Sequence, residues 1–154
     1  MINKLTEIDD SVVLGNNVKI WQFTTICEHT FIGEDSVIGS GVWIGKYCTI
    51  GKNVHIQHGA FIPNGTVIED NVFIGPNVTL TDDRYPRSGN KDYIPDPPTI
   101  RNGASIGAGA VILPGVIIEA GAMIGAGAVV TRNVGFGDLS MGVPARSQYH
   151  EVRQ

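Results

Sequence analysis

An aliphatic residue recurs at every sixth position over most of the 154-residue chain. The period runs unbroken from Ile8 to Leu80 and returns in the same form from Ile100 to Val130. Helical burial would recur at spacings of three and four residues, and a half-buried strand would alternate every two. A six-residue period is instead typical of a short β-strand followed by a corner. The chain is therefore predicted to stack on itself as an all-β solenoid.

Each six-residue unit has an internal order, which we number from the aliphatic residue as position 1. Position 5 is small or of modest size, and position 2 is glycine eight times. Positions 3 and 4 carry polar pairs that favour tight corners, such as Asn16-Asn17 and Asp70-Asn71. One large and one small inward residue per unit would fill a prism in which isoleucine stacks on isoleucine. The high glycine content, 20 residues, is interpreted as many tight turns.

Composition argues against several classes of protein. A net charge of −4 offers no basic surface for nucleic acid. The apolar runs are far too short to span a membrane, and no leader for secretion is recognisable, so a cytoplasmic protein is expected. Cys27 and Cys48 form neither a disulfide framework nor a zinc motif, and we expect both to be free thiols at repeat positions.

One segment interrupts the period. Residues 82–99 contain four prolines and seven charges, which predicts a loop that leaves the solenoid. After Val134 the pattern ends, and a tail over 136–154 follows. We therefore expect one domain over 1–154, with repeats at 8–81 and 100–135, one long loop and a C-terminal tail.

The repeat resembles that of the hexapeptide-repeat acyltransferases. This resemblance implies a left-handed parallel β-helix with three units per coil. Three local stretches, at 19–23, 54–58 and 69–88, are similar to the nucleotide-sugar N-acetyltransferases that acylate a 3-amino group. That subfamily often has asparagine where Asp82 and His58 stand in this chain. The resemblance implies acetyl-CoA as co-substrate, a UDP- or dTDP-linked amino sugar as acceptor, and a homotrimer with active sites between subunits.

His58 is the predicted general base. It stands at position 3, a corner position that points outward, and its surroundings resemble the base segment of related 4-amino-sugar enzymes. An imidazole with an ordinary pKa near 6.5 suits removal of a proton from the attacking amine. The alternative is a solvated corner histidine. Of the others, His55 is expected to be an ordinary surface residue, His29 to reach the ligand across an interface, and His150 to have no role.

The interrupting loop is predicted to hold the acceptor together with Gln57. Arg84 could bind a pyrophosphate, Tyr85 could stack on a base or sugar, and Asp82 and Asp83 supply acceptors. The alternative is a charged loop that only covers the break in the repeat.

The predicted cofactor site uses small residues and two arginines. Ala108, Gly109, Ala126 and Gly127 form small-residue corners, along which, by the resemblance, pantetheine would lie against the backbone. The alternative is that these small residues serve core packing alone. Arg132 and Arg146 are candidates for the CoA phosphates, and Pro144 is predicted to contact the cofactor as well. No metal is expected.

Three other functions remain open at this point. A γ-carbonic-anhydrase-like metal protein would need three converging histidines, but its paired histidines lie five apart whereas His55 and His58 lie three apart. An O-acetyltransferase would use a hydroxyl acceptor, and the motif at 82–88 argues against it. A non-catalytic repeat scaffold would not bind CoA.

Overall fold

The computed structural model describes residues 1–148. Their regular structure is β throughout, and within them no helix is long and apolar enough to cross a membrane. The strands are β1 Glu7–Ile8, β2 Val13–Leu14, β3 Lys19–Ile20, β4 Thr25–Ile26, β5 Phe31–Ile32, β6 Val37–Ile38, β7 Trp43–Ile44, β8 Thr49–Ile50, β9 His55–Ile56, β10 Phe61–Ile62, β11 Val67–Ile68, β12 Phe73–Ile74, β13 Thr79–Leu80, β14 Thr99–Ile100, β15 Ser105–Ile106, β16 Val111–Ile112, β17 Ile117–Ile118, β18 Met123–Ile124, β19 Val129–Val130, β20 Leu139–Met141 and β21 Arg146–Ser147.

Every third strand belongs to the same sheet. Sheet 1 runs from β1 through β4 to β19, sheet 2 from β2 through β5 to β17, and sheet 3 from β3 through β6 to β18, β20 and β21. Strands β1–β20 pair in parallel, and a typical partner lies one coil of 18 residues on, as Glu7 lies beside Thr25. The chain is a left-handed parallel β-helix, which confirms the predicted fold class.

The interior is the isoleucine stack that the period predicts. Position-1 side chains from Ile20 to Val130 are at most 1% exposed. Position 5 holds small residues, and its hydroxyls are paired: the Thr24 hydroxyl donates to the Gly39 carbonyl at 2.9 Å, and that of Thr30 to Gly45 at 2.8 Å. Buried hydroxyls therefore add no unpaired polar group to the core.

The glycines serve two purposes, of which the sequence interpretation included one. Those at position 4, such as Gly109 with φ of +67°, adopt the left-handed conformation that a tight corner needs. Those at position 2 are required by close packing between coils. A Cβ on Gly107 would stand 2.5 Å from the backbone nitrogen of Ala126, and one on Gly33 would stand 2.6 Å from Gly51.

The predicted loop leaves the helix after β13. Across it, paired residues such as Thr79 and Val111 lie 32 rather than 18 residues apart, so 14 residues stand outside the repeat. Thr99 was expected in the loop, but it is the first residue of β14. It returns to the sheet because it pairs with both Val67 and Ile117.

The solenoid continues past Val134, where the sequence pattern ends. Strand β20 pairs with β18 in the same parallel arrangement, with Ser140 buried in the place that isoleucine holds below it. The coil is two residues shorter, which is why the six-residue period misses it. Strand β21 then turns back antiparallel on β20. The end of the predicted tail, including His150, lies outside the described residues.

Candidate functional site

The predicted base and the predicted cofactor corners share one edge of the prism. We call the edge between sheets 3 and 1 corner A. Strand register stacks its position-3 residues in a column of Gln22, Ser40, His58, Pro76, Ala108 and Ala126. At roughly 4.8 Å per coil, Ala108 stands about 10 Å and Ala126 about 14 Å above His58. His58 and Gln57 thus lie in line with Ala108, Gly109, Ala126 and Gly127.

An open groove of about 440 Å³ surrounds His58 at the lower part of corner A. Its lining residues are Trp21, Gln22, Val37, Gly39, Ser40, Ile56, Gln57 and His58. The sequence predictions named only Gln57 and His58 as site residues. The 18-residue spacing was the available signal for the others, since Trp21 and Ser40 precede this pair by two coils and one coil.

The His58 ring is held by the coil below it. The Ser40 N–H donates a 2.9 Å hydrogen bond to His58 Nδ1. Gly39 leaves room for this contact, because a Cβ there would lie 3.1 Å from the same nitrogen. The side chain is exposed, so its other ring nitrogen is free to meet a ligand.

The upper part of corner A is flat and offers backbone donors. Ala108 and Ala126 are exposed, and among residues 1–148 no acceptor faces their N–H groups. Open space lies beyond Gly109 and Gly127, where an added Cβ would meet nothing within 4 Å. Such a strip can hold an extended, amide-containing chain through hydrogen bonds to the backbone.

His29 and the loop lie at a different edge, corner B, between sheets 1 and 2. The His29 ring stacks on Tyr47 with ring centroids 5.1 Å apart. The backbone N–H of His29 donates to the Ser11 hydroxyl at 2.8 Å. The loop also starts from corner B, because it joins β13 to β14. One chain therefore does not bring its predicted acceptor-binding loop to His58.

The loop satisfies many of its own polar groups. Arg84 forms a 2.6 Å ion pair with Asp96 and also donates to the Pro114 carbonyl at 3.1 Å. The hydroxyl of Tyr93 donates to Asp82 at 2.5 Å. Burial, together with this bond, raises the pKa of Tyr93 to about 12. Two of the predicted acceptor-binding residues are thus engaged with partners that the sequence did not reveal.

Two further predicted loop residues are held differently. The Asp83 carboxylate accepts from the Tyr85 N–H at 2.9 Å, which forms a tight local turn. The Tyr85 ring is 73% exposed, so it remains accessible for stacking.

The predicted phosphate-binding arginines come together at the C-terminal end of the prism. Arg132 and Arg146 line one small cavity of about 210 Å³, together with Asp138 and Ser147. The Ser147 hydroxyl donates to Asp138 at 2.6 Å. Pro144 is exposed between β20 and β21.

The cysteines are poorly suited to nucleophilic chemistry. Burial raises the pKa of the Cys48 thiol to about 11, and burial also raises that of Cys27. Little thiolate exists at neutral pH under these conditions. In the described part of the chain, moreover, His, Cys, Asp and Glu side chains form no group of three that could hold a metal ion.

Comparison with known proteins decides the family. The bacterial transferase hexapeptide family (six repeats) matches residues 11–46, 23–53, 47–82 and 97–132. The chain belongs to this family. The comparison with curated protein sequences finds no significant match.

Three similar solved structures cover nearly all of this chain. PerB from Caulobacter crescentus, in complex with CoA and GDP-perosamine, is 25% identical with a TM-score of 0.61 over 96% of this chain and 56% of its own. WeeI from Acinetobacter baumannii is 26% identical, with a TM-score of 0.62, and the match covers 90% of this chain and 55% of WeeI.

The acetyltransferase domain of PglB from Neisseria gonorrhoeae, in complex with acetyl coenzyme A, is 17% identical, with a TM-score of 0.62. The match covers 95% of this chain and 56% of the PglB chain. The chain thus spans little more than half the length of these three structures.

Proposed function

We propose that this protein transfers an acetyl group from acetyl-CoA to the amine of a nucleotide-linked amino sugar. The acceptor we favour carries a 3-amino group on a UDP- or dTDP-linked sugar, and the reaction takes place in the cytoplasm. The observation that carries the proposal is the composition of corner A, where the His58 groove lies in line with small residues whose N–H groups, at Ala108 and Ala126, meet no acceptor within residues 1–148.

Corner A fits the shape of the donor. The pantetheine arm is long, narrow and rich in amides, and it would lie along Ala108, Gly109, Ala126 and Gly127 with its thioester toward His58. Arg132 and Arg146 would meet the phosphates at the C-terminal end, near Pro144. The solved complex of PerB with CoA and GDP-perosamine supports the pairing of these two ligand classes.

The chemistry requires direct attack. The neutral amine attacks the thioester carbon, and the carbon–sulfur bond breaks to release CoA. The sequence-based prediction gave His58 the part of general base, and at this stage that part remains a prediction. The raised thiol pKa values of Cys48 and Cys27 favour this route over a covalent acyl-enzyme.

We further propose that the active site forms between subunits of a homotrimer. Within one chain the loop and His29 are at corner B while His58 is at corner A, so only a second copy could bring them together. Gln57 would meet the acceptor from the same chain as His58. Asp82, Asp83, Arg84, Tyr85 and His29 would meet it from the neighbour.

An acceptor panel tests the proposal. Purified protein is incubated with acetyl-CoA and UDP-, dTDP- and GDP-linked amino sugars, and the acetylated product is measured by mass spectrometry. We expect acetylation of at least one amine, and a kcat about 10²-fold lower for His58→Ala. The matched control, His55→Ala, alters a histidine on the adjacent strand and should keep the wild-type rate. Acetylation of matching hydroxyl sugars alone, or of nothing, would contradict the proposal.

A further inference from the structure

The hydrogen bond to His58 belongs to a contact that recurs around the solenoid. At three corners, a position-3 side chain accepts from the position-3 N–H one coil below. His58 Nδ1 accepts from Ser40 at 2.9 Å, Asn64 Oδ1 from Lys46 at 2.8 Å, and Asp70 Oδ1 from Lys52 at 2.8 Å. Amide and carboxylate oxygens carry no proton and can only accept. His58 Nδ1 therefore occupies a hydrogen-bond acceptor position.

This contact determines which nitrogen of the neutral ring bears the proton. A neutral imidazole has one N–H and one bare nitrogen, and the bare nitrogen must face the Ser40 N–H. Rotating the ring by half a turn would place a carbon there, which accepts no hydrogen bond. The proton therefore lies on Nε2, the nitrogen that is free to meet a ligand.

No ionisable side chain in the groove lining competes with the Ser40 N–H for a hydrogen bond to the His58 ring. Apart from His58, the groove is lined by side chains without ionisable groups. On the flanking sheet faces of the described chain, the titratable or charged groups are His55 on β9, Lys19 on β3 and Arg146 on β21 in sheet 3, and Glu7 on β1 in sheet 1. A histidine that serves as base usually donates its Nδ1–H to a carboxylate or carbonyl. Here Nδ1 instead faces a donor.

We propose that His58 acts in acetyl transfer as a hydrogen-bond donor through Nε2–H, with the Ser40 backbone N–H as its positioning group. This inference rests on the proposed function and replaces the predicted general base, which would need a bare Nε2. Ser40 contributes through its backbone, so its residue type gave no signal, and only its 18-residue spacing from His58 pointed to it.

The reaction balances without a proton on the ring. The amine nitrogen forms a bond to the thioester carbon, and the carbon–sulfur bond breaks with its electron pair on sulfur. One amine proton ends on that sulfur, so CoA leaves as the thiol. His58 donates its N–H to the oxygen of the adduct and retains its proton throughout.

The tautomer can be read directly by ¹⁵N NMR of histidine-labelled protein without any ligand. His58→Asn assigns the signals by their loss. At a pH where the ring is neutral, we expect His58 Nδ1 to resonate as a bare acceptor nitrogen and Nε2 as a protonated one. A protonated Nδ1, or the averaged shifts of a freely exchanging ring, would overturn the proposal.

Ser40→Pro removes only the donor. Proline fits, because Pro76 occupies the same place in the column and likewise follows a glycine. We expect mixed tautomers and a kcat about tenfold lower, with the KM for acetyl-CoA unchanged. The control, Lys52→Pro, deletes the equivalent N–H at the corner between sheets 2 and 3 and should leave tautomer and kcat as in wild type. An unchanged His58 tautomer and kcat in Ser40→Pro would overturn the positioning role.

A second variant distinguishes a hydrogen-bond donor role of His58 from a general-base role. In His58→Gln the amide nitrogen can take the place of Nε2–H but cannot accept a proton. We expect the kcat of this variant to be at least tenfold higher than that of His58→Ala. An equal loss of kcat in both variants would mean that His58 acts as the general base instead. If the wild-type protein acetylates no acceptor, the proposed function fails, while the ¹⁵N shifts still decide the tautomer.

Discussion

At the scale of single residues, glycine separates two physical demands that look alike in the sequence. Gly107, at position 2, stands where a Cβ would meet backbone atoms of the next coil at 2.5 and 2.8 Å. Gly109, at position 4, faces open space but has a φ of +67°. The first glycine is required by packing between coils, and the second by the left-handed backbone.

This distinction predicts unequal costs of the same substitution. Gly109→Ala should lower stability by about 1 kcal/mol, the cost of a left-handed alanine. Gly107→Ala must also push two coils apart and should cost about 2 kcal/mol or more. Thermal unfolding of the two variants measures the difference. Equal losses would mean that the coils separate freely at this corner.

The cysteines give a second prediction at this scale. Burial raises the pKa of Cys48 to about 11, so its thiolate is scarce at neutral pH. Cys48→Ala should therefore retain acetyl transfer, and iodoacetamide should label Cys48 in the wild-type protein slowly near pH 7.5. Loss of turnover in a variant that keeps its thermal stability would indicate covalent catalysis after all.

At the scale of elements, the loop is an insertion that the solenoid can do without. Residue pairs before and after it keep the same parallel register, so the coils above and below close around the gap. Its Arg84–Asp96 ion pair and Tyr93–Asp82 hydrogen bond hold it in shape from within. The loop is therefore available for ligand binding without being needed for the fold.

Replacing residues 82–98 by Asn-Gly-Thr tests this independence. That tripeptide already turns the same corner one coil below, at 64–66, and it restores the 18-residue spacing. We expect thermal stability and CoA affinity close to those of the full chain, with acetyl transfer to the sugar abolished. A shortened protein that no longer folds would assign the loop to structure instead.

The pKa of Tyr93 reports on the hydrogen bond between Tyr93 and Asp82 within the loop. Because burial and Asp82 raise the pKa of Tyr93 to about 12, the folded protein holds this proton more tightly than the unfolded chain does. Its contribution to stability is present below the ordinary tyrosine pKa near 10 and is lost as the pH rises toward 12. In an ultraviolet titration Asp82→Asn should lower this pKa, and an unchanged titration would show that the bond is absent in solution.

At the scale of the whole molecule, the six-residue period was enough to predict a stacked all-β solenoid, because each position-1 side chain has one possible direction, inward. The three units per coil and the left hand came from the family resemblance. Counting 18 residues per coil, as the resemblance implies, also puts Ser40 and His58 in one column, whereas Ala108 and Ala126 join that column only in the structure because the interruption breaks the count. Three features were beyond the period. The last coil breaks the period, Arg84 and Asp82 pair with residues of an irregular loop, and the His58 tautomer depends on a backbone N–H that every residue except proline possesses.

The outer faces predict assembly. Phe31, Phe61, Phe73 and Val67 are 39% to 44% exposed, and Trp43 stacks on Phe61 with ring centroids 4.8 Å apart. Apolar faces of this kind are typical of a covered surface. Sedimentation equilibrium should therefore give a mass about three times the 16.4 kDa of one chain. A single-chain mass at working concentration would contradict the homotrimer.

Calorimetric CoA titration of two matched variants shows whether CoA lies along corner A. Gly109 is on corner A and Gly103 on the corner between sheets 2 and 3, with φ of +67° and +68° and open space beyond each. A leucine therefore strains the two sites alike. We predict that Gly109→Leu loses CoA binding while Gly103→Leu, with wild-type assembly and stability checked, binds CoA as the wild-type protein does. Equal affinity in the two variants, or loss in Gly103→Leu alone, would mean that CoA does not bind along corner A.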